Sequence, residues 1–222
     1  MDWQALWLSV RLGIVTVLVL VPLAVLIARW LAVTRIRGKA VFEAALALPL
    51  VLPPTVVGFY LLIAMGGGTW LGQTWQELFG TTLVFSFEGL VVASILVNIP
   101  FAVQPAQRAF EAIPPDIREA AASCGMSRWR TLAAIELPLA WPGIVTGAVL
   151  TFAHTLGEFG VVLMVGGSIP GETRTIAVAI YDRVQAFDSA AAARMSAFLV
   201  LISLVTIALT FILSSRVGRR HG

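Results

Sequence analysis

The sequence predicts an all-α polytopic membrane protein with about five transmembrane helices, an N-terminus outside and a cytoplasmic C-terminus. Two compositional observations support this fold class: 59% of the 222 residues are hydrophobic and only 12% are charged, whereas soluble domains carry about 25% charged residues. The third observation is that the apolar residues occur in long runs. Five runs reach the length of ~20 residues that a helix needs to cross a bilayer: about 6–28, 43–65, 83–103, 142–165 and 195–214.

Two shorter segments are expected to be helical without forming ordinary spans. The glycines at 66–68 end the second span, and an amphipathic piece carrying Trp70, Trp75 and Glu77 follows at the membrane interface. Residues 174–190 have helical spacing of apolar residues but too many charges to cross a bilayer. We therefore expect an interfacial or re-entrant helix there, which would be a sixth membrane segment if it enters the bilayer.

The distribution of basic residues predicts the orientation. The loop between the second and third spans has no lysine or arginine, and the 166–194 loop balances three basic against three acidic residues. Basic residues concentrate in cytoplasmic loops of membrane proteins. Here they collect after the first span, in the polar segment 104–138 and in the tail: Arg29, Arg35, Arg37, Lys39, Arg108, Arg118, Arg128, Arg130, Arg216, Arg219 and Arg220. This placement also explains the isoelectric point near 9.7 without a nucleic-acid partner.

The residue inventory argues against an enzyme. Cys124 is the only cysteine, so that an intrachain disulfide or a cysteine-based metal site cannot form, and we expect its thiol to be buried. Two histidines do not make a convincing metal or nucleophile cluster, and we expect no catalytic or metal-binding residue. No G-x4-G-K-[ST] phosphate-binding loop occurs, because Gly38-Lys39 lacks the upstream glycine. The N-terminus has no basic region ahead of its apolar run, so a cleaved signal peptide is not expected.

The polar segment 104–138 predicts two short helices. Residues Asp116 to Cys124 are good helix formers, and Gly125 is well placed to end this helix in the left-handed conformation. Ser127 is positioned to cap a second helix, from 128 to 136, which Pro138 would end. The segment is either an ordinary amphipathic connector or a docking device for a water-soluble partner.

The spacing E-A-A-x3-G-x9-I-x-L-P in this segment resembles the cytoplasmic loop of bacterial ABC importer membrane subunits. The resemblance implies a single transmembrane domain over 1–222, with 104–138 as a coupling loop for a dimer of ATPase subunits. ATP and Mg would then be bound by that partner, and no cofactor by this chain. Carried over to this sequence, the residues that transmit ATPase closure are Glu119, Ala120, Ala121 and Gly125, together with the neighbouring Arg118 and Arg128.

Three further stretches, 48–58, 154–160 and 169–175, look like the molybdate permease subfamily. That resemblance implies a periplasmic molybdate-binding protein as a partner, a second copy of this chain, and a place in the lipid bilayer of the bacterial inner membrane. Tungstate and sulfate remain alternative substrates. A stand-alone secondary transporter or channel is the alternative in a different class; it would predict inverted repeats and charged relays inside the helices.

Candidate pathway residues lie in the second and fourth spans. Prolines in a spanning helix free carbonyl groups, and broken helices tend to line cavities; the alternative is a simple packing kink. Glu158 repels an anion, so we expect it to organise a gate with His154, Thr151 or Thr155 rather than to bind substrate, although a satisfied buried pair is equally compatible. The predicted pathway or gate residues are Pro49, Pro53, Pro54, Thr55, Thr151, His154 and Glu158.

Overall fold

A computed structural model describes residues 1–218, with side chains as far as residue 208, and that part of the chain is built of helices without strands. Arg219, Arg220 and His221 lie outside the described residues, as does the side chain of Arg216. The α-helices are α1 Trp3–Val33, α2 Lys39–Val51, α3 Pro54–Met65, α4 Trp70–Phe79, α5 Phe87–Glu111, α6 Pro115–Ser123, α7 Arg128–Thr131, α8 Leu137–Gly157, α9 Gly160–Gly166, α10 Ile176–Gln185 and α11 Ser189–Gly218; a π-helical turn, Leu132–Glu136, joins α7 to α8.

Within the described residues, four helical stretches are long and apolar enough to cross a membrane. A fifth crossing is formed by α2 and α3 together if this bent pair counts as one span. The predicted all-α polytopic fold is therefore confirmed. The four continuous stretches are Trp3–Val33, Phe87–Glu111, Arg128–Gly157 and Ser189–Ala208.

The second predicted span, 43–65, is interrupted at two of the three prolines that were expected to break it, Pro53 and Pro54. The chain bends by 108° between α2 and α3. The residue before a proline is driven out of the helical region, and this effect acts twice in succession: Leu52 (ψ 139°) precedes Pro53, and Pro53 (ψ 134°) precedes Pro54. Pro49 lies inside α2 and does not end it.

The fourth predicted span, 142–165, has both ends misplaced. The helical stretch begins at Arg128 and α8 ends at Gly157, because Glu158 is extended (ψ 123°). Pro138 was predicted to end a short helix; instead the chain passes through it into α8. The preceding π-helical turn is wider than an α-helical one and closes with the Leu137 N–H bonded to the Leu132 carbonyl. The helix thus continues through Pro138, which has no N–H to donate.

The core is formed where α1, α5 and α8 cross. On α5 the helix continues through Pro100 and Pro105 to Glu111, so the first residues of the polar segment 104–138 are helical, which the sequence analysis did not predict. Small residues bring α8 close to α5: a Cβ added at Gly143 would lie 2.5 Å from the Pro105 carbonyl oxygen, and one at Gly147 2.7 Å from that of Ala102. Close approach at small residues is a common mode of helix association in membranes.

The two expected non-spanning helices are present. α4 is capped by Thr69, whose hydroxyl accepts from the Gly72 N–H, and ends at Gly80 in the left-handed conformation. α10 occupies the 174–190 region and buries Ile176 and Ala179 against the rest of the protein. Both are ten residues long. The interfacial placement of α4 and the interfacial or re-entrant placement of α10 stay predictions.

Candidate functional site

The polar segment forms a helix-turn-helix from α6 and α7. Gly125 has φ +73°, and its N–H donates to the Ala122 carbonyl while the Met126 N–H donates to the Ala121 carbonyl, which completes a glycine-based helix end. The Ser127 hydroxyl accepts from the Arg130 N–H at 3.3 Å and caps α7. The predicted conformations of Gly125 and Ser127 are both confirmed.

The outer surface of this helix-turn-helix carries most of the predicted coupling residues. Glu119, Ala120, Gly125 and Arg128 are exposed, whereas Ala121 is buried. Trp129 is 71% exposed, a large aromatic surface at the start of α7. Cys124 is also exposed, so the prediction of a buried thiol is wrong. It is the C-cap residue of α6, at a turn whose neighbouring residues 122–125 are exposed as well.

Arg118, the remaining predicted coupling residue, points into the protein. Its Nε donates to Glu136 Oε1 at 2.6 Å, and its two Nη atoms donate to the carbonyls of Phe110 (2.8 Å) and Ile113 (3.2 Å). Glu136 is fully buried, and its Oε2 accepts from Arg29 Nε at 2.5 Å. These charge-assisted hydrogen bonds tie α6 to the ends of α1 and α5 and to the start of α8. We call Arg29, Arg118 and Glu136 the arginine clamp.

Glu136 was missed in the sequence analysis because it occupies the undefined position of the I-x-L-P motif. The available signal was a lone acidic residue between Ile135 and Leu137. A charged residue in an apolar stretch is almost always paired, and the basic residues of the other polar segments were the candidate partners. Its position in a π-helical turn is also typical of functional sites.

Most of the candidate pathway residues lie at or near two chain breaks that pack together. The break before α3 contacts the break before α9, since a Cβ added at Gly160 would lie 2.8 Å from Pro54 Cβ. A cavity of about 30 Å³ opens there, lined by Pro49, Pro54, Val57, Val97, His154, Glu158 and Val161. Four of the seven predicted residues therefore meet. Pro53 and Thr55 are exposed and Thr151 is buried, and none of these three lines the cavity.

Glu158 lies just beyond the end of α8 rather than within the helix. Its Oε1 accepts from the Val161 N–H at 2.9 Å and so caps α9, and its Oε2 lies 3.7 Å from His154 Nε2. The other nitrogen of His154 is 3.2 Å from Asn98 Oδ1, and the ring stacks on Phe101. Of the three partners considered, His154 is the one that contacts Glu158. No group of three or more metal-ligating side chains occurs among the residues that the structure describes.

Two substitutions of Glu158 distinguish the effect of its hydrogen bond to the Val161 N–H from the effect of its negative charge. Glu158→Gln keeps an oxygen that accepts from the Val161 N–H, whereas Glu158→Ala removes it and should cost about 1 kcal/mol of stability. If the carboxylate organises a gate, we expect both variants to lower transport. Unfolding of the purified protein and transport in vesicles measure the two effects. Full transport by a folded Glu158→Gln protein would contradict the gate hypothesis.

Comparison with known proteins shows which family has a sequence like that of this chain. The family described as "Binding-protein-dependent transport system inner membrane component" matches residues 12–219. Relatives named "Molybdenum transport system permease protein ModB" include one from Azotobacter vinelandii, 48% identical over 93% of this chain and 91% of its own length. Another, from Escherichia coli (strain K12), is 41% identical over 83% of this chain and 80% of its own. A protein named "Sulfate transport system permease protein CysW", from Synechocystis, is 32% identical over 95% of this chain and 77% of its own.

The fold has solved counterparts as well. A crystal structure of a bacterial ABC transporter involved in alginate import superposes with a TM-score of 0.76 at 18% identity, covering 96% of this chain and 78% of that one. At this identity the likeness concerns the fold. The family match spans nearly the whole chain, and it includes both the helix-turn-helix and the paired chain breaks. The chain belongs to the family of binding-protein-dependent transport system inner membrane components.

Proposed function

We propose that this chain is the membrane-spanning permease subunit of an ATP-driven importer for molybdate. A separate dimer of ATPase subunits would bind ATP and Mg and dock on α6 and α7, in a coupling segment within 104–138. A periplasmic binding protein would deliver the anion. The family match and the relatives named for molybdenum transport support this proposal.

One observation carries the coupling part of the proposal. The α6–α7 unit exposes Glu119, Ala120 and Trp129 on its outer side. The arginine clamp, whose carboxylate is fully buried, holds its inner side to three other helices. A partner that pulls on the outer side would therefore move the ends of α1, α5 and α8 with it. An ordinary connector has no need of a fully buried carboxylate with two arginines on it.

The transport pathway is expected between two copies of this chain. α2 has no buried residue in the isolated subunit, and Thr55 and Tyr60 near the break before α3 are also exposed. A two-fold interface, in which the same surface of both copies meets, would cover such a surface. The cavity around Glu158 would then lie close to the pathway rather than form it, because about 30 Å³ holds little more than one water molecule.

Molybdate is the favoured substrate, and tungstate and sulfate are the alternatives. The relatives named for molybdenum transport are more similar to this chain than the one named for sulfate transport. Uptake of labelled molybdate into vesicles that contain the assembled transporter, in competition with tungstate and sulfate, tests the order of preference. Equal competition by sulfate would contradict molybdate specificity.

The single cysteine offers a direct test of docking and orientation. Cys124 is exposed between α6 and α7. If this turn is cytoplasmic, with the N-terminus outside, a membrane-impermeant maleimide should modify Cys124 in inside-out but not in right-side-out vesicles. Assembly with the ATPase subunit should then slow the modification about tenfold or more, which corresponds to about 1.4 kcal/mol of protection.

The labelling experiment separates the two classes of transporter. A secondary transporter or channel working alone would leave Cys124 equally reactive whether or not the ATPase is present. Cys124→Ser, which removes the only thiol, is the control for non-specific labelling. Labelling only in right-side-out vesicles would overturn the orientation, and reactivity unaffected by a bound ATPase would overturn docking at this turn.

A further inference from the structure

A second, larger cavity lies beside the arginine clamp. Its volume is about 610 Å³, and it opens between the last turn of α1, the two residues that follow it, and the α6–α7 unit. Arginine is the dominant polar residue of the lining, contributed by both sides: Arg29 and Arg35 from the α1 side, and Arg118 and Arg128 from the α6–α7 side. The arginine clamp and Arg128, a predicted coupling residue, border this space.

The lining of the cavity is strongly cationic. It holds four arginines and a single carboxylate, Glu136, so its net charge is +3. That carboxylate is fully occupied by Arg29 and Arg118. Arg35 and Arg128 have no carboxylate partner within the part of the chain that the structure describes. Guanidinium groups match the geometry of tetrahedral oxyanions, and two of them remain available here.

The cavity lies where a lipid headgroup is expected. Trp30 and Val33, both on its rim, are 43% and 42% exposed at the end of a 31-residue spanning helix. Tryptophan is enriched at the level of the headgroups. Arg35 follows two residues after α1 ends, at the end that the basic residues assign to the cytoplasm. Apolar surface and free guanidinium groups therefore adjoin each other, as an amphiphile with an anionic head requires.

We propose that this cavity binds a tetrahedral oxyanion, namely the phosphate of an anionic phospholipid in the cytoplasmic leaflet, through Arg35 and Arg128. Its apolar rim at Trp30 and Val33 contacts the adjoining acyl chain. Basic pockets at this side of a membrane protein attract anionic headgroups. The site does not depend on which anion the protein transports. Free phosphate or molybdate shares the tetrahedral chemistry, so the test includes both.

The test compares matched double variants of the full-length protein. Arg35→Gln/Arg128→Gln removes the two available cavity arginines. Arg37→Gln/Arg130→Gln removes two exposed arginines that each lie two residues away along the chain but outside the lining. Native mass spectrometry measures phosphatidylglycerol retained after purification and on titration. We expect the cavity variant to bind it about thirty-fold more weakly, at about 1 kcal/mol per arginine, and the control variant to bind as the wild type does.

A second variant fills the space without altering charge. Ala122 is exposed and lines the cavity, and Ala122→Leu should lower phosphatidylglycerol binding while leaving the arginines in place. Displacement of the lipid by millimolar phosphate or molybdate would show that the site binds tetrahedral oxyanions in general. If neither ion displaces the lipid, the site is specific for the lipid.

Three results would overturn the proposal. The first is equal phosphatidylglycerol binding by the two double variants. The second is equal binding of phosphatidylglycerol and zwitterionic phosphatidylcholine by the wild type. The third is loss of the bound lipid when the ATPase subunit assembles with this chain, because the ATPase would then be the occupant of the cavity.

Discussion

Replacement of Glu136 by alanine should destabilise the protein by about 3–5 kcal/mol, the cost of removing one partner from a buried ion pair. Glu136 is fully buried, and Arg29 and Arg118 are each less than a quarter exposed. Without the carboxylate, two guanidinium groups remain close together with no counter-charge. Chemical unfolding of the full-length protein in mixed micelles measures the change.

Glu77→Ala is the matched control for this prediction. Glu77 is an exposed carboxylate on α4 and has no ion pair among the described residues, so its replacement should change stability by less than about 0.5 kcal/mol. A second check combines Glu136→Ala with Arg118→Ala. Because the two residues are in contact, the double variant should lose less stability than the sum of the single variants. Equal, small effects of Glu136→Ala and Glu77→Ala would show that the arginine clamp does not hold the fold.

The spans could be predicted from the sequence because hydrophobic length is a local property. All five predicted runs correspond to helical stretches or to the bent pair. Whether a proline breaks a helix depends less on the local sequence. Pro53 and Pro54 end a helix, whereas Pro100 and Pro105 lie inside α5. Successive prolines force two extended residues in a row, which no single bent helix can accommodate. Isolated prolines in a membrane helix are tolerated when neighbours satisfy the freed carbonyls.

The candidate site was predictable on its outer side and not on its inner side. Glu119 and Gly125 belong to a motif that can be read along the chain, and the conformation of Gly125 followed from its position after α6. The partners of Arg118 could not be read in this way. Glu136 lies 18 residues away and Arg29 is 107 residues from Glu136. Only the crossing of α1, α5 and α8 brings them together, so an arginine expected to face a partner points inward instead.

Glu119→Arg is expected to uncouple the protein from its ATPase without unfolding it. Glu119 is exposed, and its side chain has no hydrogen-bond or ion-pair partner in the described part of the chain, so the protein loses no internal contact. At an interface, losing one partner of a buried charge pair costs 2–5 kcal/mol or more. We therefore expect affinity for the ATPase to fall at least about thirty-fold, and ATP-driven uptake to fall with it.

The comparison with Glu136 makes this prediction specific, because the two glutamates lie in one segment but on opposite sides of it. Glu136→Ala should lower stability, whereas Glu119→Arg should leave unfolding unchanged and lower only ATPase binding and uptake. Glu77→Arg, an equal charge change on the exposed face of α4, controls for non-specific electrostatic effects and should alter neither. Normal ATPase affinity in a folded Glu119→Arg protein would contradict docking at the outer side of α6. The arginine clamp would then contribute to the stability of the protein but not to ATPase coupling.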